Sequence, residues 1–273
     1  MIVGKRGVRI ERPAIMGILN VTPDSFSDGG MYLGGNALEH ALEMIDDGAD
    51  IIDVGGESTR PGSDPVSSEE EIRRIVPVIR ELSAVSDVPI SVDTMKTEVA
   101  EAALDAGADM INDVNGLRAP GMAELAASAD VPVIIMHMEG MPKTMQDDPL
   151  DAESFDDVVF FLSERFEYAL DCGVKRIITD PGIGFGKTSE LNELIIDNAL
   201  SFSFGCPVLI GASRKRFLSD VYPGMDRDEA TVRASMRALD SGADILRVHN
   251  VRMMADALSD HLHKDAYGQD GDE

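Results

Sequence analysis

The sequence predicts an α/β protein built as a single (β/α)8 barrel with an N-terminal β-hairpin. Eight short segments rich in Ile and Val alternate with helical segments along the 273 residues. None of these apolar segments alternates polar with apolar residues, which is typical of parallel strands buried on both faces. The phrase Gly-Ala-Asp followed by Ile or Met recurs at 48–51, 107–110 and 242–245. In each copy the glycine is placed to end one helix just before the next strand begins.

The predicted elements follow one another in a regular order. Residues 2–10 carry Gly4-Lys5-Arg6-Gly7 between short apolar stretches, which predicts the hairpin. The strands are predicted at about 15–20, 51–54, 90–93, 110–113, 133–137, 177–179, 208–211 and 245–248. The helices that follow them are predicted near 36–47, 68–83 and 96–106, after Pro120, at 152–172, from about 190, and at 229–241 and 251–261. Such an alternation closes naturally into a TIM barrel.

Local signals refine this assignment. Ser68 is predicted to cap the second helix, and Glu71 three residues later would complete a capping box. Pro77 is expected to kink that helix or to remove one of its hydrogen bonds. The polar segment 264–273 is predicted to be a disordered tail, which leaves residues 1–263 as one barrel domain. An open doubly wound sheet is the alternative fold, although no GxGxxG fingerprint follows the first strand.

Composition limits the class of function. The chain has no apolar run of about 18 residues and no signal-peptide core, so we expect a cytoplasmic protein without a membrane partner. Cys172 and Cys206 lack metal-binding spacing and are expected to be reduced thiols. The net charge of −26, from 50 acidic and 24 basic residues, argues against a nucleic-acid partner. This charge predicts a salt-adapted, halophilic protein, with an acidic partner-binding surface as the alternative.

Polar side chains follow most of the predicted strands. In a (β/α)8 barrel the active site is built at these carboxyl ends. Strands three, four and six provide Asp93, Asn112 and Asp180, whereas strands seven and eight provide Ser213, Lys215, Arg247 and His249. The first group can accept hydrogen bonds from an amino-substituted heterocycle, and the second group can bind an anion. The sequence therefore predicts a ligand with a heterocyclic head and a phosphate tail.

Each of these residues also has a structural alternative. Asp93 and Asp180 could cap the helices that follow them, and both roles are compatible. Lys215 belongs to a basic triplet that could be a solvated face. His137 is interpreted as a hydrogen-bonded structural residue rather than a metal ligand, because no second His or Cys stands at ligand spacing.

Loops and small residues complete the candidate site. The first strand ends at Asn20, and the loop 21–30 is polar and able to close over an anionic or metal-bound ligand. An ordinary strand-to-helix connection is the alternative, although such connections usually have about 2–6 residues. The glycines within 182–186 resemble a phosphate loop but lack a Walker pattern. Met138 is predicted to wall a pocket.

Seven motifs at these strand ends together resemble the dihydropteroate synthase family. They are residues 17–30, Asp53-Val54-Gly55-Gly56-Glu57-Ser58-Thr59-Arg60-Pro61-Gly62, Ile90-Ser91-Val92-Asp93-Thr94, Met136-His137-Met138, residues 180–187, Ser213-Arg214-Lys215 and Arg247-Val248-His249. The resemblance spans nearly the whole chain. It implies a transferase of folate biosynthesis that joins 6-hydroxymethyl-7,8-dihydropterin diphosphate to 4-aminobenzoate, releases pyrophosphate and uses Mg²⁺. Family members are usually dimers, so the resemblance also implies a homodimer.

The resemblance implies a role for each matching residue. The pterin ring would be held by Asp93, Asn112, Asp180 and Lys215. The diphosphate would face Asn20, Thr59, Arg60, Arg247 and His249, with Asn20 also a magnesium ligand. The aminobenzoate would lie against Thr59, Pro61, Phe185, Ser213 and Lys215. Catalysis would depend on Asp93, Asp180 and Lys215, with Asp180 stabilising the cation that forms when the pterin C–O bond ionises.

Two positions depart from the family pattern, and two other functions stay open. Ile183 stands where family members often have an aromatic residue, and Asn250 stands where an aspartate is frequent. A pterin-binding methyltransferase would share the barrel and the pterin acids but would not need the diphosphate and aminobenzoate motifs. A non-catalytic pterin-binding barrel would not need an intact reactive set. The sequence keeps that set, which consists of Asn20, Asp180, Lys215 and Arg247.

Overall fold

The computed structural model describes residues 2–3, 8–9, 13–22, 35–58, 62–140 and 143–267. Within these residues the strands are β1 (Ile2–Val3), β2 (Val8–Arg9), β3 (Ala14–Asn20), β4 (Ile51–Gly55), β5 (Ile90–Asp93), β6 (Met110–Asp113), β7 (Val133–Met136), β8 (Ile177–Asp180), β9 (Leu209–Ile210) and β10 (Ile245–Val248). The α-helices are α1 (Gly35–Asp46), α2 (Ser68–Val85), α3 (Thr97–Ala106), α4 (Met122–Ala129), α5 (Phe155–Asp171), α6 (Ser189–Asp197), α7 (Leu218–Val221), α8 (Arg227–Asp240) and α9 (Val251–Tyr267).

The strands β3 to β10 form one parallel sheet that closes on itself. From β3 to β8 each strand pairs with the next one along the chain, and β10 lies between β9 and β3. A parallel bridge between Thr179 of β8 and Val208, just before β9, closes the remaining seam. The strands β1 and β2 pair antiparallel as a separate hairpin. The predicted (β/α)8 barrel with an N-terminal hairpin is therefore confirmed, and the open doubly wound alternative is wrong.

Apolar side chains fill the barrel in two layers. One layer packs the outer faces of the strands against the surrounding helices. The other is a separate cluster that takes residues from seven of the eight barrel strands. Its members are Ala14, Met16, Ile51, Met110, Ile134, Ile178, Leu209 and Ile245. Residues two apart on a strand share a face, so the side chain two positions after each of these residues also points into the barrel.

The repeated Gly-Ala-Asp phrase closes the amino end of the barrel. Its glycines have φ values of +104°, +118° and +107°, the left-handed conformation that ends a helix. The side chains of Asp50, Asp109 and Asp244 accept hydrogen bonds from the backbone N–H groups of Ile15, Ile90 and Val208, at 2.8, 3.1 and 2.8 Å. Each aspartate therefore ties its own strand to the neighbouring strand, at the end opposite the candidate site.

Several element boundaries differ from the predictions. Ser67, not Ser68, caps α2, since its side chain accepts the N–H of Glu70. Ser67 and Ser68 are adjacent, and the first of them is the cap while the second is the first residue of the helix. Glu71 is instead buried, and its carboxylate pairs with Lys96. The helix α9 continues past 261 to Tyr267, and residues 268–273 of the predicted tail lie outside the described residues.

Two bulk properties can be compared with the structure. Both cysteines are free thiols, with Cys206 buried and Cys172 partly exposed. Among the residues that the structure describes, no helix combines the length and the apolar composition needed to cross a membrane. The short helix α7 was not predicted, because its four residues are too few to show a helical repeat of apolar side chains.

Candidate active site

A pocket opens at the carboxyl ends of the barrel strands. It contains about 320 Å³ of space that atoms do not fill. The residues that line it are Asp93, Asn112, Val114, Met136, Asp180, Ile183, Phe185, Gly211, Lys215 and Arg247. The structure thus gathers in one place six of the predicted site residues, from five strands or the loops that follow them: Asp93, Asn112, Asp180, Phe185, Lys215 and Arg247.

The period of the strands explains why these polar groups meet. Four members of the interior apolar cluster are Ile51, Met110, Ile178 and Ile245. Two residues later the same strands carry Asp53, Asn112, Asp180 and Arg247. Since side chains alternate along a strand, these polar residues point to the same interior, one layer nearer the mouth. These four polar residues therefore form one layer above the apolar interior of the barrel, and we call this layer the floor of the pocket.

Arg247 and Asp53 organise this floor. The Nε of Arg247 donates to Oδ2 of Asp53 at 2.7 Å, and its Nη2 donates to Oδ2 of Asp93 at 2.7 Å. The Nδ2 of Asn112 donates to the same Asp53 oxygen at 3.0 Å. Asp53 is fully buried, and sequence reasoning did not select it as a site residue. The only signal was its place in the motif after Ile52, because within an apolar strand its carboxylate needs buried partners.

Three acceptor atoms of the floor have no partner within the described part of the chain. They are Oδ1 of Asp53, Oδ1 of Asp93 and Oδ1 of Asn112. Buried polar atoms are nearly always hydrogen-bonded, so unpaired acceptors beside a pocket call for donors from elsewhere. A ligand that presents several N–H groups would satisfy the two acceptors whose residues line the pocket, Asp93 and Asn112.

Two carboxyl groups of the pocket have strongly raised pKa values. Burial raises the pKa of Asp93 to about 7, although the Arg247 cation opposes the shift. Burial also raises the pKa of Asp180 to about 6, opposed by the N–H of Gly182 and by the same cation. The Gly182 N–H donates to Oδ1 of Asp180 at 2.7 Å. Carboxyl groups perturbed in this way concentrate at functional sites.

The opposite side of the pocket is basic and aromatic. The Nζ of Lys215 lies 3.8 Å from the centroid of the Phe185 ring, a cation–π contact. At the ends of β9 and β10, Oγ of Ser213 lies 2.8 Å from Nδ1 of His249, and Oγ accepts the backbone N–H of His249 at 3.1 Å. The structure therefore joins Ser213 and His249 to each other, although neither lines the pocket itself.

The glycine-rich loop after β8 surrounds a lysine rather than an anion. The Nζ of Lys187 donates to the carbonyl oxygens of Gly182 and Phe185, at 2.9 and 3.1 Å, and lies 2.8 Å from Nδ1 of His137. A Cβ at Gly182 would lie 1.9 Å from the carbonyl oxygen of His137, so only glycine fits there. The described contacts of this loop are thus made to the lysine, and His137 is the structural, hydrogen-bonded residue that was predicted.

The remaining predicted residues fall into three groups. Met138 is buried in a cluster with Met136, Met145 and Phe185, and it is Met136 that lines the pocket. Asn20 ends β3 beside Gly55 of β4, outside the set of lining residues. Thr59, Arg60 and Pro61 lie outside the described residues, as do residues 23–34 of the first loop.

The two departures from the family pattern have different consequences. Ile183 is buried and lines the pocket, so its side chain shapes the ligand space directly. Asn250 donates to Asp228 at 3.0 Å and accepts the N–H of Met253 at 3.1 Å. Asn250 therefore holds the first turn of α9 and serves the backbone rather than the pocket.

A magnesium ion would fit this site only together with an anionic ligand. Over the described ranges no group of three or more His, Cys, Asp or Glu side chains could hold a metal. Asn20 offers one side-chain oxygen at a strand end. Mg²⁺ is commonly bound by one or two protein groups and completed by phosphate oxygens and water. A Mg²⁺ ion at this strand end would therefore need most of its ligands from water and from a phosphate-bearing ligand.

Comparisons with known proteins are consistent across sequence and structure. Residues 16–249 match the family model described as pterin binding enzyme. The chain is 47% identical to the dihydropteroate synthase of Bacillus subtilis over 252 residues, which cover 90% of this chain and 86% of that protein.

Two solved structures from Xanthomonas albilineans are similar throughout. Dihydropteroate synthase with 4-aminobenzoic acid has a TM-score of 0.88 and 43% identity, covering 94% of both chains. The same enzyme in complex with 7,8-dihydropteroate has a TM-score of 0.85 and 40% identity, covering 95% of this chain and 96% of that one. The similarity therefore extends over the whole barrel, including the strand ends that form the pocket.

Proposed function

The chain belongs to the pterin-binding enzymes and, among them, to the dihydropteroate synthase family of transferases, and we propose a specific reaction for its pocket. It joins 6-hydroxymethyl-7,8-dihydropterin diphosphate to 4-aminobenzoate and releases pyrophosphate. The observation that carries this proposal is the meeting of Asp93, Asn112, Asp180, Lys215 and Arg247 around one pocket. This set appears in a chain 47% identical to a dihydropteroate synthase over 90% of its length.

The acidic floor suits the pterin head. The unpaired buried oxygens of Asp93 and Asn112 can accept hydrogen bonds from the amino and ring N–H groups of the pterin. The Asp180 carboxylate lines the same pocket and can accept another. Lys215 can donate to the pterin carbonyl or a ring nitrogen. A pterin lacks strong negative charge, so these acceptors select it over an anionic ring.

The basic side suits the diphosphate. Arg247 contributes a guanidinium to the pocket lining, and Ser213 and His249, which follow β9 and β10, form a hydrogen-bonded pair. The predicted contacts from Thr59 and Arg60 would add to this side. Asn20 would hold a Mg²⁺ ion that neutralises the diphosphate and makes it a better leaving group. Charge concentrated in this way acts where negative charge grows in the transition state.

The reaction needs no nucleophilic side chain. The C–O bond between the pterin methylene and the diphosphate breaks, and pyrophosphate leaves with the electron pair. The Asp180 carboxylate, beside the pterin, stabilises the resulting cation. The amine of 4-aminobenzoate then forms the new C–N bond and releases one proton to solvent. Phe185 and Lys215, which stack on each other, form one wall for the incoming arylamine.

The methyltransferase alternative fits less well. It would not need Ser213, Lys215 and the diphosphate contacts, which this chain retains together. A non-catalytic barrel is disfavoured because Asp180 and Lys215 of the proposed reactive set are both retained and both line the pocket. Mass analysis of the products separates these possibilities. The purified protein should form 7,8-dihydropteroate from the two substrates and should transfer no methyl group from a methylated reduced folate.

Two further properties are part of the proposal. We infer a homodimer from family membership, and the exposed side chains of Leu194 and Leu200 at the end of the α6 region are available to an interface. Light scattering at two protein concentrations measures the state directly. We also infer adaptation to salt, supported by the net charge of −26. Surface carboxylates repel one another most strongly when the salt concentration is low.

A further inference from the structure

We propose that Lys187 is a positioning residue, which holds the loop 182–186 in the shape that places Phe185 and Lys215 for the arylamine acceptor. The inference rests on the proposed function, because it concerns the acceptor side of the same pocket. Lys187 does not line the pocket, so its effect must pass through the loop. The proposed reaction gives Lys187 no role, yet Lys187 is one of the least exposed charged residues of the barrel.

The environment of Lys187 is unusual for a lysine. Its side chain is 4% exposed, whereas lysines are almost never buried unless they are paired with a carboxylate. Here the hydrogen-bond partners of Nζ are neutral: Nδ1 and the carbonyl oxygen of His137, and the carbonyl oxygens of Gly182 and Phe185. An amino group offers donors at the tip of a long stem, and the loop supplies backbone acceptors that curve around it. The lysine therefore supplies hydrogen bonds to loop carbonyls that would otherwise be satisfied by a helix or a strand partner.

His137 anchors this arrangement to the barrel. Burial, together with the cations of Lys187 and Arg118, lowers the pKa of His137 to about 2, so the ring is neutral. Burial also lowers the pKa of Lys187 itself, to about 7. When Nδ1 accepts from the protonated lysine, the neutral ring carries its proton on Nε2. The ring also packs edge-on against Phe161, with centroids 4.9 Å apart. Lys187 is thus fixed to the residue that follows β7, and the loop is fixed to Lys187.

The loop transmits this position to the pocket. The carbonyl of Phe185 is one of the lysine's acceptors, and the ring of the same residue contacts Nζ of Lys215. Gly184 packs against the stem of Lys215, since a Cβ there would lie 3.0 Å from Cδ. From the other side, Oδ1 of Asn192 accepts the N–H of Gly184 at 2.7 Å. Loss of the lysine contacts would therefore release Phe185 and Lys215 together.

The first test replaces Lys187 by Met, which keeps the stem and removes the donors. We expect K187M to raise the KM for 4-aminobenzoate by about tenfold or more, as expected when a binding wall shifts by about 1 Å. The dissociation constant of the pterin diphosphate should change less, because two of the four proposed pterin contacts, Asp93 and Asn112, stand on strands that the loop does not touch. Lys175→Met is the matched control, since that lysine is 74% exposed and should leave both values unchanged.

The second test does not depend on turnover. Amide hydrogen exchange of the segment 182–186 should be faster in K187M than in the unsubstituted protein, with no change in β5 or β6. If K187M is too unstable to purify, His137 provides the same test. His137→Asn keeps an acceptor near Nδ1 and should retain slow exchange, whereas His137→Leu removes it and should not.

The results separate the two proposals. Unchanged exchange in K187M or H137L, or a KM for 4-aminobenzoate equal to that of K175M, would overturn the role of Lys187. If the unsubstituted protein does not use 4-aminobenzoate at all, the proposed reaction fails. The exchange measurement then still decides whether Lys187 holds the loop.

Discussion

Arg247 and Asp93 form an ion pair across the pocket, with Nη2 of the arginine 2.7 Å from Oδ2 of the aspartate. The cation proposed to face the diphosphate thus neutralises a carboxylate proposed to hold the pterin. Both residues line the ligand space. A bound pterin diphosphate brings N–H donors for the aspartate and negative charge for the arginine. The two ends of the substrate can therefore replace the two halves of this pair at the same time.

The first prediction concerns Asp53, which accepts from Arg247 and Asn112 in the same floor. Asp53→Ala leaves both donors without this acceptor in a buried place. We expect the free energy of unfolding to fall by about 1–3 kcal/mol, the usual effect of an unsatisfied buried polar group. The value of kcat/KM for the pterin diphosphate should fall as well. Chemical denaturation and steady-state kinetics measure both, and Asp171→Ala, at the exposed end of α5, is the control. Wild-type values for D53A would remove Asp53 from the account.

The second prediction concerns the reactive set itself. Asp180→Asn removes the carboxylate proposed to stabilise the cation, and Lys215→Ala removes the ammonium that lies over Phe185. Each change should lower kcat by about a hundredfold or more, the range found when a preorganised electrostatic contact is lost. Circular dichroism should show an unchanged fold. Near-normal turnover by either variant would exclude that residue from the mechanism.

The third prediction is a pH dependence of pterin binding. Burial raises the pKa of Asp93 to about 7 and that of Asp180 to about 6, so both take up protons as the pH falls below these values. A protonated carboxyl group loses part of its acceptor capacity, and the affinity should therefore decrease from pH 8 to pH 5. Calorimetry with a pterin that lacks the diphosphate avoids titration of the ligand's phosphates. An affinity that is constant or rises toward pH 5 would contradict the acceptor role.

The same shifts have the opposite sign for stability. A raised carboxyl pKa means that the folded protein binds protons more tightly than the unfolded chain, whose aspartates titrate near 3.9. The contribution of Asp93 and Asp180 to the free energy of unfolding is thus largest at low pH. It declines as the pH rises from about 4 to about 7. At neutral pH these two carboxylates therefore lower the free energy of unfolding, as is common for groups that bind a ligand.

The site residues at the strand ends were predictable, because a polar residue there interrupts an otherwise apolar buried strand. Asp93, Asn112 and Asp180 each stand at or near the end of a buried strand, where a polar residue has no structural reason to face the interior. Asp53 was not selected, since it lies inside β4 and its partners come from β6 and β10. Lys187 was not selected either, because only the folded chain brings His137 and the loop carbonyls around it. Contacts between residues far apart in sequence leave no local pattern.

The fourth prediction concerns salt. With a net charge of −26, repulsion between carboxylates should destabilise the folded protein in dilute buffer. At about 1 M KCl the Debye length falls to about 3 Å, so this repulsion is screened. The free energy of unfolding should therefore rise with KCl concentration, and sucrose at matched osmolality should not reproduce the full effect. A protein that is equally stable in dilute buffer is not salt-adapted.

The central claim is that one pocket ionises a pterin diphosphate and passes the pterin to 4-aminobenzoate. The most direct measurement is pyrophosphate release from 6-hydroxymethyl-7,8-dihydropterin diphosphate in the presence of Mg²⁺, with and without 4-aminobenzoate. We expect sustained release only when 4-aminobenzoate is present, with one 7,8-dihydropteroate formed for each pyrophosphate. Sustained release that depends strictly on a different acceptor, or no release with either, would contradict it.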